Sequence, residues 1–523
     1  MRYLLFLLLF SILNSPLFAQ SYFTEGSKEL LTQIIVNQDR VLGRELHCKN
    51  ALSVFYLEDN FKQVWTEDKA RILLDFIKST ANHALNPKDY HIESIELGLN
   101  AKFQDRKSIF ELEVLLSDAF LQVSSHLLSG KLDKETLKTV WGIRTDEENP
   151  INLLQSITID SNLFQSLQSL LPQEHIYWSM MSAFLSYRLI EYSDWPISPT
   201  GPTIKLEDSD ERIPGIAKKL YLLGDLCTKY PDNFYVYTEE LQESIINFQE
   251  RHGLDNDGNI GTKTIEALNV SIKDRIAQTK ANMERWRWLP RKFSDYYVLV
   301  KFGNYKLDVV EKGEVIQQHR VISGKIARET PVLSSKIKYL VFNPTWTIPP
   351  GILTKDVIPA VSKNNDYLAK KRITVMNSQG EALDASQVDW SKPEVKGYTY
   401  RQASGLDNSL GVVKFMFDNP YSVYLHDTPN KELFNKFERA LSSGCIRVEH
   451  PLDLAVTLLK DDKKYSKEKV LELVRTGKTQ TIFLGKYPDI HILYWTAWSS
   501  QDGQIHFRKD VYGRDARLIA ALR

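Results

Sequence analysis

Hydrophobic residues recur at three- and four-residue spacing through the first part of the chain. The pattern is clearest in residues 70–77 and 112–128, where leucine, isoleucine and phenylalanine alternate with polar residues. Such spacing predicts amphipathic helices. Residues 86–90 (NPKDY) interrupt the pattern and predict a break between two helices. We therefore expect a helical scaffold domain over residues 20–200, in which no titratable side chains are grouped into a site.

A compact three-helix unit is predicted over residues 212–270. Gly224 follows an apolar helical run and is expected to end the first helix. Thr238 is a plausible N-cap for the second helix, because two glutamates follow it in the first turn. The third helix is expected to end at residues 267–269. The preceding stretch, residues 193–211, is rich in Pro, Ser, Asp and Gly and is interpreted as a linker.

The acidic turn "GLDNDGNIG" inside this unit invites comparison with a calcium-binding loop. If Gly258 occupied the sixth loop position, Gly253 and Thr264 would stand at positions one and twelve, where ligating carboxylates belong. The turn is therefore predicted to be a structural connection.

After residue 290 the hydrophobic pattern changes to that of strands. Residues 296–302 and 305–310 are β-rich runs separated by Gly303 and Asn304, which predicts a hairpin. Further strands are expected at residues 315–323, 337–342, 412–417 and 423–426. We predict a mostly-β domain over residues 290–523 with a polar insertion at about 350–405.

Composition adds an expectation about partners and one about export. The 523 residues suffice for two or three domains, and 66 basic residues balance 66 acidic ones, so no nucleic-acid partner is expected. Residues 1–19 combine Arg2, a short apolar core and a cleavage position after Ala19, as in a signal peptide. If it stayed uncleaved, this segment would associate the chain with the inner membrane. No later apolar run reaches the length of a membrane span.

Three cysteines in an exported chain leave at least one unpaired. Cys48 and Cys227 either pair with each other or are buried thiols, and the sequence leaves this open. Cys445 follows small residues in "LSSGCIRVEH", and His426 lies upstream at the end of "YSVYLH". A thiol needs a nearby base to react quickly at neutral pH. A buried cysteine with an unrelated histidine is the alternative interpretation from spacing alone.

Other catalytic signatures are missing from the sequence. There is no Gly-x-Ser-x-Gly elbow and no His-Glu-x-x-His zinc motif. Ser323-Gly324-Lys325 resembles part of a phosphate loop, but His319 stands where its first glycine belongs. We expect no metal and no nucleotide cofactor.

The segment "HDTPNKELFNKFERALSSGCIRV" resembles the signature of the L,D-transpeptidase (YkuD) catalytic-domain family, a His followed by a Ser-x-Gly-Cys-x-Arg block. "RETPVLSSKI", "FNPTWTIPPGI" and "YWTAW" are further matches. "FQERHGLDNDGNIGTKTIEALN" resembles the three-helix peptidoglycan-binding module. Together these motifs are similar to the large, multidomain Gram-negative branch of the family. The resemblance implies a multidomain α+β fold, with a helical scaffold, this module and a mostly-β catalytic domain that carries an inserted capping region.

The resemblance also implies roles for individual residues. Cys445 matches the nucleophile, His426 the general base and Arg447 the arginine of the motif. The remaining matches are a tyrosine of the active-site strand and two residues of the loop that orients the histidine and contributes to the oxyanion site: Tyr424, Ser443 and Gly444. Many relatives have histidine where this chain has serine 443. This difference points to a backbone carbonyl or a hydroxyl as the third group.

The family implies an exported, periplasmic enzyme of peptidoglycan biosynthesis and cell shape, and a carbapenem target. It would take a tetrapeptide stem as donor, form a cysteine thioester, and pass the acyl group to an amine on a second stem in a 3→3 cross-link. Other wall-synthesis proteins are conceivable partners. Hydrolysis by the same thioester (L,D-carboxypeptidase), exchange with a free D-amino acid, and a non-catalytic wall-binding protein remain open alternatives.

Overall fold

The computed structural model describes residues 26–38, 40–101, 103, 105–134, 141–143, 149–159, 162–364, 366–500 and 503–523. The predicted signal peptide, residues 1–19, lies outside the described residues. Among the residues described, no helix is both long and apolar enough to cross a membrane. The chain divides into two compact units. The first comprises the described parts of Met1–Asp133, Thr145–Ser186 and Met283–Lys292; the second comprises those of Lys134–Arg144, Tyr187–Asn282 and Phe293–Arg523.

The first unit is helical, as its hydrophobic periodicity predicts. Its helices are α1 (Ser27–Thr32), α2 (Lys49–Glu58), α3 (Glu67–Ser79), α4 (Ile92–Ala101), α5 (Arg106–Ser129), α6 (Pro150–Ile159), α7 (Leu163–Ser169) and most of α8 (His175–Leu189). Pro87–Tyr90 forms a single 3₁₀ turn between α3 and α4, which confirms the predicted break. The 24-residue helix α5 is buried along most of its length, so the other helices pack their apolar faces around it.

The three-helix module contains α9 (Ile213–Leu223), α10 (Glu239–Arg251) and α11 (Thr262–Asn269), followed by the longer α12 (Ile272–Arg287). Gly224 ends α9 with a φ of 78°, and the Thr238 hydroxyl accepts a hydrogen bond from Leu241 N at the start of α10, as predicted. In the acidic turn, Gln249 Oε1 accepts from Gly258 N at 2.9 Å and Gln249 Nε2 donates to Asn259 O at 2.8 Å. A side-chain amide therefore holds this connection.

The predicted linker, residues 193–211, is irregular in backbone but is folded onto the module. Ile204 forms a bridge with Ile260, and Ser198 N donates to Asn269 Oδ1 at 2.9 Å. Trp195 Nε1 donates to Leu268 O at 3.1 Å. The polar composition therefore predicted the irregular backbone correctly, but it gave no sign of these tertiary contacts.

Strands dominate the remainder of the second unit. They are β1 (Trp141–Gly142), β2 (Tyr296–Lys301), β3 (Lys306–Glu311), β4 (Glu314–Gly324), β5 (Val332–Phe342), β6 (Trp346–Thr347), β7 (Ile373–Met376), β8 (Ala382–Leu383), β9 (Thr399–Gln402), β10 (Val413–Phe417), β11 (Leu425–His426), β12 (Ala440–Ser442), β13 (Ile446–Val448), β14 (Gln480–Phe483), β15 (Asp489–Leu493), β16 (Ala497–Ser499) and β17 (Ile505–Phe507). Two helices follow β13, namely α16 (Pro451–Leu458) and α17 (Lys467–Arg475), and α18 (Arg514–Leu522) follows β17. The helical N-terminal and mostly-β C-terminal regions predicted from the sequence are confirmed.

Eleven of these strands form one sheet, with the order β1-β5-β10-β11-β13-β4-β3-β2-β15, and with β12 beside β4 and β14 beside β5. Strand β5 also pairs with β15, so the path of strands closes on itself. The short strand β11 lies between β10, which is antiparallel to it, and β13, which is parallel to it. This arrangement brings His426 beside the segment that contains Cys445.

The insertion between β5 and β10 is a small substructure with its own core. Its strands form a second sheet in the order β6-β9-β7-β8, and its helices are α13 (Pro350–Ile352), α14 (Ile358–Lys363) and α15 (Tyr367–Lys370). Buried aliphatic side chains of the helices and of the sheet, including Val361, Leu368 and Val375, pack with Tyr400. The insertion begins slightly earlier than predicted, because β6 pairs with β9 inside it.

Candidate active site

The loop before Cys445 is shaped by one glycine and one serine. Gly444 has a φ of 111°, a backbone conformation that residues with a Cβ rarely adopt. Gly444 N donates to Ser442 Oγ at 3.1 Å, and Ser442 Oγ donates to Cys445 O at 2.5 Å. These bonds tighten the turn that carries the chain from β12 into β13 and present the thiol at the start of β13.

The turn between β4 and β5 supports this loop from behind. Thr330 Oγ1 donates to Gly444 O at 2.9 Å and accepts from Gly324 N at 2.9 Å. Lys325 N donates to Ser442 O at 3.0 Å. Gly324 is needed here, because a Cβ at this position would lie 2.2 Å from Arg328 O. The sequence motif "RETP" therefore contributes a brace for the cysteine loop.

His426 is buried, and its ring is oriented by the main chain. Its Nδ1 lies within hydrogen-bond distance of Asp427 O. A carbonyl can only accept, so Nδ1 carries the proton and Nε2 is left with a free lone pair. Burial, followed by the charge of Arg447, lowers the pKa of His426 to about 3. The imidazole is therefore neutral at physiological pH and can accept a proton.

Asp427 is itself held in place on several sides. Its carboxylate accepts from Val412 N at 2.9 Å and forms an ion pair with Lys431. Its own N–H donates to Val413 O at 2.9 Å. Gly411 makes this close approach possible, since a Cβ there would lie 2.2 Å from an Asp427 oxygen. These contacts hold the backbone of Asp427, and with it the carbonyl that orients His426.

The half-buried thiol of Cys445 donates to Ser422 O at 3.8 Å and is hydrogen-bonded to Tyr424. Burial raises the pKa of Cys445, whereas the hydrogen bonds from Tyr424 and the positive charges of Arg447 and Lys414 act in the opposite direction. In the part of the chain that the structure describes, His426 is not a hydrogen-bond partner of the sulfur. Catalytic hydrogen bonds are often long before substrate binds.

Cys445 and His426 line one cavity of about 470 Å³. Its other lining residues are Arg328, Trp346, Pro349, Gly351, Ile352, Lys355, Ser409, Leu410, Tyr421, Ser422, Val423, Tyr424, Ser442, Ser443 and Arg447. The charged groups among these described residues are cationic. Arg447 Nε is buried and makes no hydrogen bond within the described chain. The cavity therefore suits a ligand that carries a carboxylate.

Tyr424 and Arg447 line this cavity, and Gly444 directly precedes Cys445 in its loop. Tyr424 packs edge-on against His426, with ring centroids 5.7 Å apart. Ser443 also lines the cavity, but its hydroxyl accepts from Arg328 Nη1 at 2.8 Å and does not orient the histidine. Of the two third groups considered, the carbonyl is the one present, and it belongs to Asp427. The cysteine loop does not supply it.

All three cysteines are free thiols, so the open alternative of a Cys48–Cys227 disulfide is not realised. Cys48 is half-buried, and burial raises its pKa to about 12. Cys227 is exposed, contrary to the expectation of a buried thiol. Cys445 is the thiol that lies beside a histidine in a cavity.

Sequence reasoning missed several residues that shape the site. Lys414 lies on β10 opposite His426, and Arg328 links the Ser443 hydroxyl to Asp356 of the insertion. The signal for Lys414 was a lysine in the otherwise apolar strand "VVKFMF". Asp427 stood next to His426 in the quoted motif, yet nothing in the sequence indicated that its main chain would be the part used.

Residues 295–471 match the family described as the L,D-transpeptidase catalytic domain (YkuD), and residues 50–184 match the Scaffold domain family. A Haemophilus influenzae protein named "Putative L,D-transpeptidase" is 34% identical over 267 residues, which is 50% of this chain and 53% of that protein. The chain thus spans about half the length of this curated relative.

Two solved structures align with low similarity. One is the Ldtfm-avibactam carbamoyl enzyme, which is 11% identical, with coverage of 60% of this chain and 98% of that chain and a TM-score of 0.19. The other is a fused Zn-dependent amidase/peptidase/peptidoglycan-binding domain-containing protein from Clostridium acetobutylicum, which is 10% identical, with coverage of 56% and 99% and a TM-score of 0.15. At these scores neither superposition bears on the chemistry of this chain.

Proposed function

We infer that this chain, whose C-terminal region is an L,D-transpeptidase catalytic domain and whose N-terminal helical region is a Scaffold domain, is a peptidoglycan L,D-transpeptidase that works through a Cys445 thioester and forms 3→3 cross-links. The observation that carries the proposal is the shared cavity of Cys445 and a neutral His426 with a free Nε2. A thiol beside a base in a cationic cavity suits acyl transfer from a peptide that bears carboxylates.

In the first half-reaction, the Cys445 sulfur attacks the carbonyl carbon of the third residue of a tetrapeptide stem. His426 Nε2 accepts the thiol proton as the carbon–sulfur bond forms. The carbon–nitrogen bond to the terminal D-residue then breaks, and the imidazolium returns the proton to the leaving amine. The products are a thioester and a free D-amino acid.

In the second half-reaction, the amine of a neighbouring stem attacks the thioester carbon. His426 takes a proton from this amine, the carbon–sulfur bond breaks, and the thiolate regains a proton from the imidazolium. The developing oxyanion needs hydrogen-bond donors. The Gly444 N–H expected in this role is bonded to Ser442, whereas the Tyr424 hydroxyl already reaches the sulfur and is the better placed donor.

The donor stem is held, in this proposal, by the basic lining of the cavity. Arg447 presents a buried guanidinium nitrogen without a protein partner, and Lys355 adds a second charge from the insertion. A planar guanidinium binds a carboxylate through two parallel hydrogen bonds. This explains why the insertion belongs to the site: it carries part of the wall of the cavity.

The decisive experiment compares Cys445→Ala with Cys48→Ala and Cys227→Ala. With purified disaccharide-tetrapeptide, mass spectrometry should show cross-linked dimers from the wild type and from both control variants, and none from folded Cys445→Ala. Full activity of Cys445→Ala would overturn the assignment. Release of tripeptide alone would favour an L,D-carboxypeptidase, and incorporation of an added D-amino acid would favour exchange. A chain that binds sacculi but yields no product would be a wall-binding protein.

We further propose that the module of residues 212–270 holds the enzyme on its polymer, in the periplasm to which the predicted signal peptide would direct it. The module exposes two aromatic side chains, Tyr221 and Tyr235, of the kind that can stack on sugars. Sacculus co-sedimentation should weaken in Tyr221→Ser/Tyr235→Ser, while turnover of small soluble stems persists. Tyr192→Ser, an exposed tyrosine outside the module, is the matched control. Unchanged co-sedimentation of the double variant would contradict the proposal.

A further inference from the structure

Three basic side chains form one row across neighbouring strands at the site. Lys414 of β10 is paired with His426 of β11, and His426 is paired with Arg447 of β13. Residues that lie opposite each other in adjacent strands project from the same face of a sheet. Tyr424 and Cys445 precede His426 and Arg447 by two residues and share that face. The nucleophile therefore lies next to a row that begins with a lysine.

The Lys414 ammonium lies close to Tyr424 and Cys445. It is half-buried, and no Asp or Glu in the described part of the chain forms an ion pair with it. Its Nζ lies 5.6 Å from the centroid of the Tyr424 ring, where the ring's quadrupole attracts a cation. Burial lowers the pKa of Lys414, and the charge of a Cys445 thiolate would raise it. A buried cation is normally paired with an anion. The anion that acts on Lys414 is the Cys445 thiolate.

The Cys445 thiolate needs positive charge nearby in order to form. Burial raises the pKa of Cys445, so the reactive thiolate is disfavoured unless nearby groups stabilise it. The titratable and charged groups around the sulfur are Tyr424 just before β11, His426 on β11, Lys414 on β10 and Arg447 on β13. Arg328 and Lys355 line the same cavity, and Glu432 acts on Arg447. His426 is kept neutral, so the positive charges that act on the sulfur are those of Lys414 and Arg447.

We propose that Lys414 is a positioning residue of the reaction: its ammonium, held over the Tyr424 ring, stabilises the Cys445 thiolate and thereby sets how much nucleophile is present near neutral pH. The inference rests on the proposed function, in which Cys445 is the nucleophile. The proposal gives different roles to the two cations, Arg447 and Lys414. Arg447 opens into the cavity and is available to the substrate's carboxylate, whereas Lys414 is not among the residues that line the described cavity and serves the sulfur.

The test is the pH dependence of alkylation by iodoacetamide, a neutral reagent that the site's charges do not attract. The full chain is labelled between pH 6 and 11, and peptide mapping follows Cys445 and the exposed Cys227 separately. In Lys414→Met, the pH at which Cys445 is alkylated at half its maximal rate should rise by about one unit. Alkylation of Cys445 at pH 7 should therefore slow several-fold. Lys414→Arg keeps the charge and should stay close to the wild type.

Lys338→Met is the matched control, because Lys338 lies on β5 of the same sheet and pairs with Asp418 on the surface. It should leave the Cys445 midpoint unchanged, and the Cys227 profile should be the same in every variant. An unshifted Cys445 midpoint in folded Lys414→Met would overturn the inference. Lys414→Gln gives the same reading if the methionine variant does not fold. If iodoacetamide does not label wild-type Cys445 at any pH in the series, it is the proposed nucleophile that fails.

Discussion

At the scale of single residues, the main chain orients the His426 ring, a task that a third side chain performs in a catalytic triad. His426 Nδ1 is bound by Asp427 O, and that carbonyl is fixed by contacts of the Asp427 side chain with Val412 N and Lys431. A main-chain carbonyl cannot be protonated near neutral pH, so the tautomer of His426 does not depend on a second titration. A serine at position 443 is therefore compatible with an oriented base.

Asp427→Ala tests this arrangement, because it keeps the carbonyl and removes its anchors. Small displacements of a catalytic group cost rate steeply, so kcat should fall by about 10- to 100-fold while KM changes less. Steady-state kinetics with a tetrapeptide donor measure the split. Asp418→Ala removes an exposed aspartate that pairs with Lys338 and should leave kcat unchanged. Wild-type kcat in Asp427→Ala would show that the side-chain contacts of Asp427 do not position His426.

At the scale of elements, the module is bound to its neighbours more firmly than a tethered domain would be. His252, at the end of α10, stacks on Phe248 with ring centroids 3.8 Å apart and on Phe507 of β17 at 5.6 Å. Arg251 Nη1 donates to Ile505 O at 3.3 Å, and Arg508 Nη1 donates to Arg251 O at 3.0 Å. Contacts of this kind make α10 and the β16–β17 hairpin one packed element of the second unit.

The buried ion pair between Arg251 and Asp225 is the sensitive point of this packing. Both side chains are almost fully buried, and Arg251 Nε donates to Asp225 Oδ1 at 2.6 Å. Arg251→Ala would leave a buried carboxylate without its partner, which costs about 3–5 kcal/mol. We expect faster hydrogen–deuterium exchange in α10 and β17, measured by mass spectrometry on the full chain.

Lys218→Ala is the control for that measurement, because Lys218 pairs with Asp194 at the exposed surface. Exposed pairs contribute at most about 1 kcal/mol, so exchange in α10 should stay as in the wild type. Equal exchange in the Arg251 variant and the wild type would mean that the hairpin holds α10 without the buried pair.

At the scale of the whole molecule, buried histidines should make stability depend on pH. Burial lowers the pKa of His83, His126 and His491 to about 4, and that of His426 to about 3. In the unfolded chain these groups titrate near 6.5. Below that pH the unfolded state binds protons that the folded state does not, so the free energy of unfolding falls as pH drops from about 6.5 towards 4. Glu113 acts in the opposite direction, since burial raises its pKa to about 8, but the histidines outnumber it.

Urea unfolding at pH 7 and pH 5 checks this prediction. The urea concentration at which half of the protein is unfolded should be clearly lower at pH 5 than at pH 7. In His83→Phe this difference in urea concentration should shrink, whatever that variant does to absolute stability. His450→Gln removes an exposed histidine and should not change the difference. A midpoint that is equal at both pH values would contradict the argument.

Much of this molecule follows from local sequence. The helices of the first unit, the capped helix α10, the glycine that ends α9 and the β2–β3 hairpin are all set by periodicity, capping and turn residues within a few positions. The pairing of Cys445 with His426 could also be proposed, since a motif carries both. For the helices, caps and hairpin, the deciding interactions join neighbours in the chain. Cys445 and His426 are not neighbours in the chain, and only the resemblance to a family motif paired them.

Tertiary structure alone decided the rest. Which carbonyl orients His426, which cation lies beside the thiol, and whether residues 193–211 are a free linker all depend on strand register and on packing between distant segments. Lys414 meets His426 only because β10 pairs with β11 in one register; a shift of one residue would turn it to the other face of the sheet. Sequence patterns predict which face of an element is buried, but the partner across a sheet is fixed by the total free energy of the folded chain.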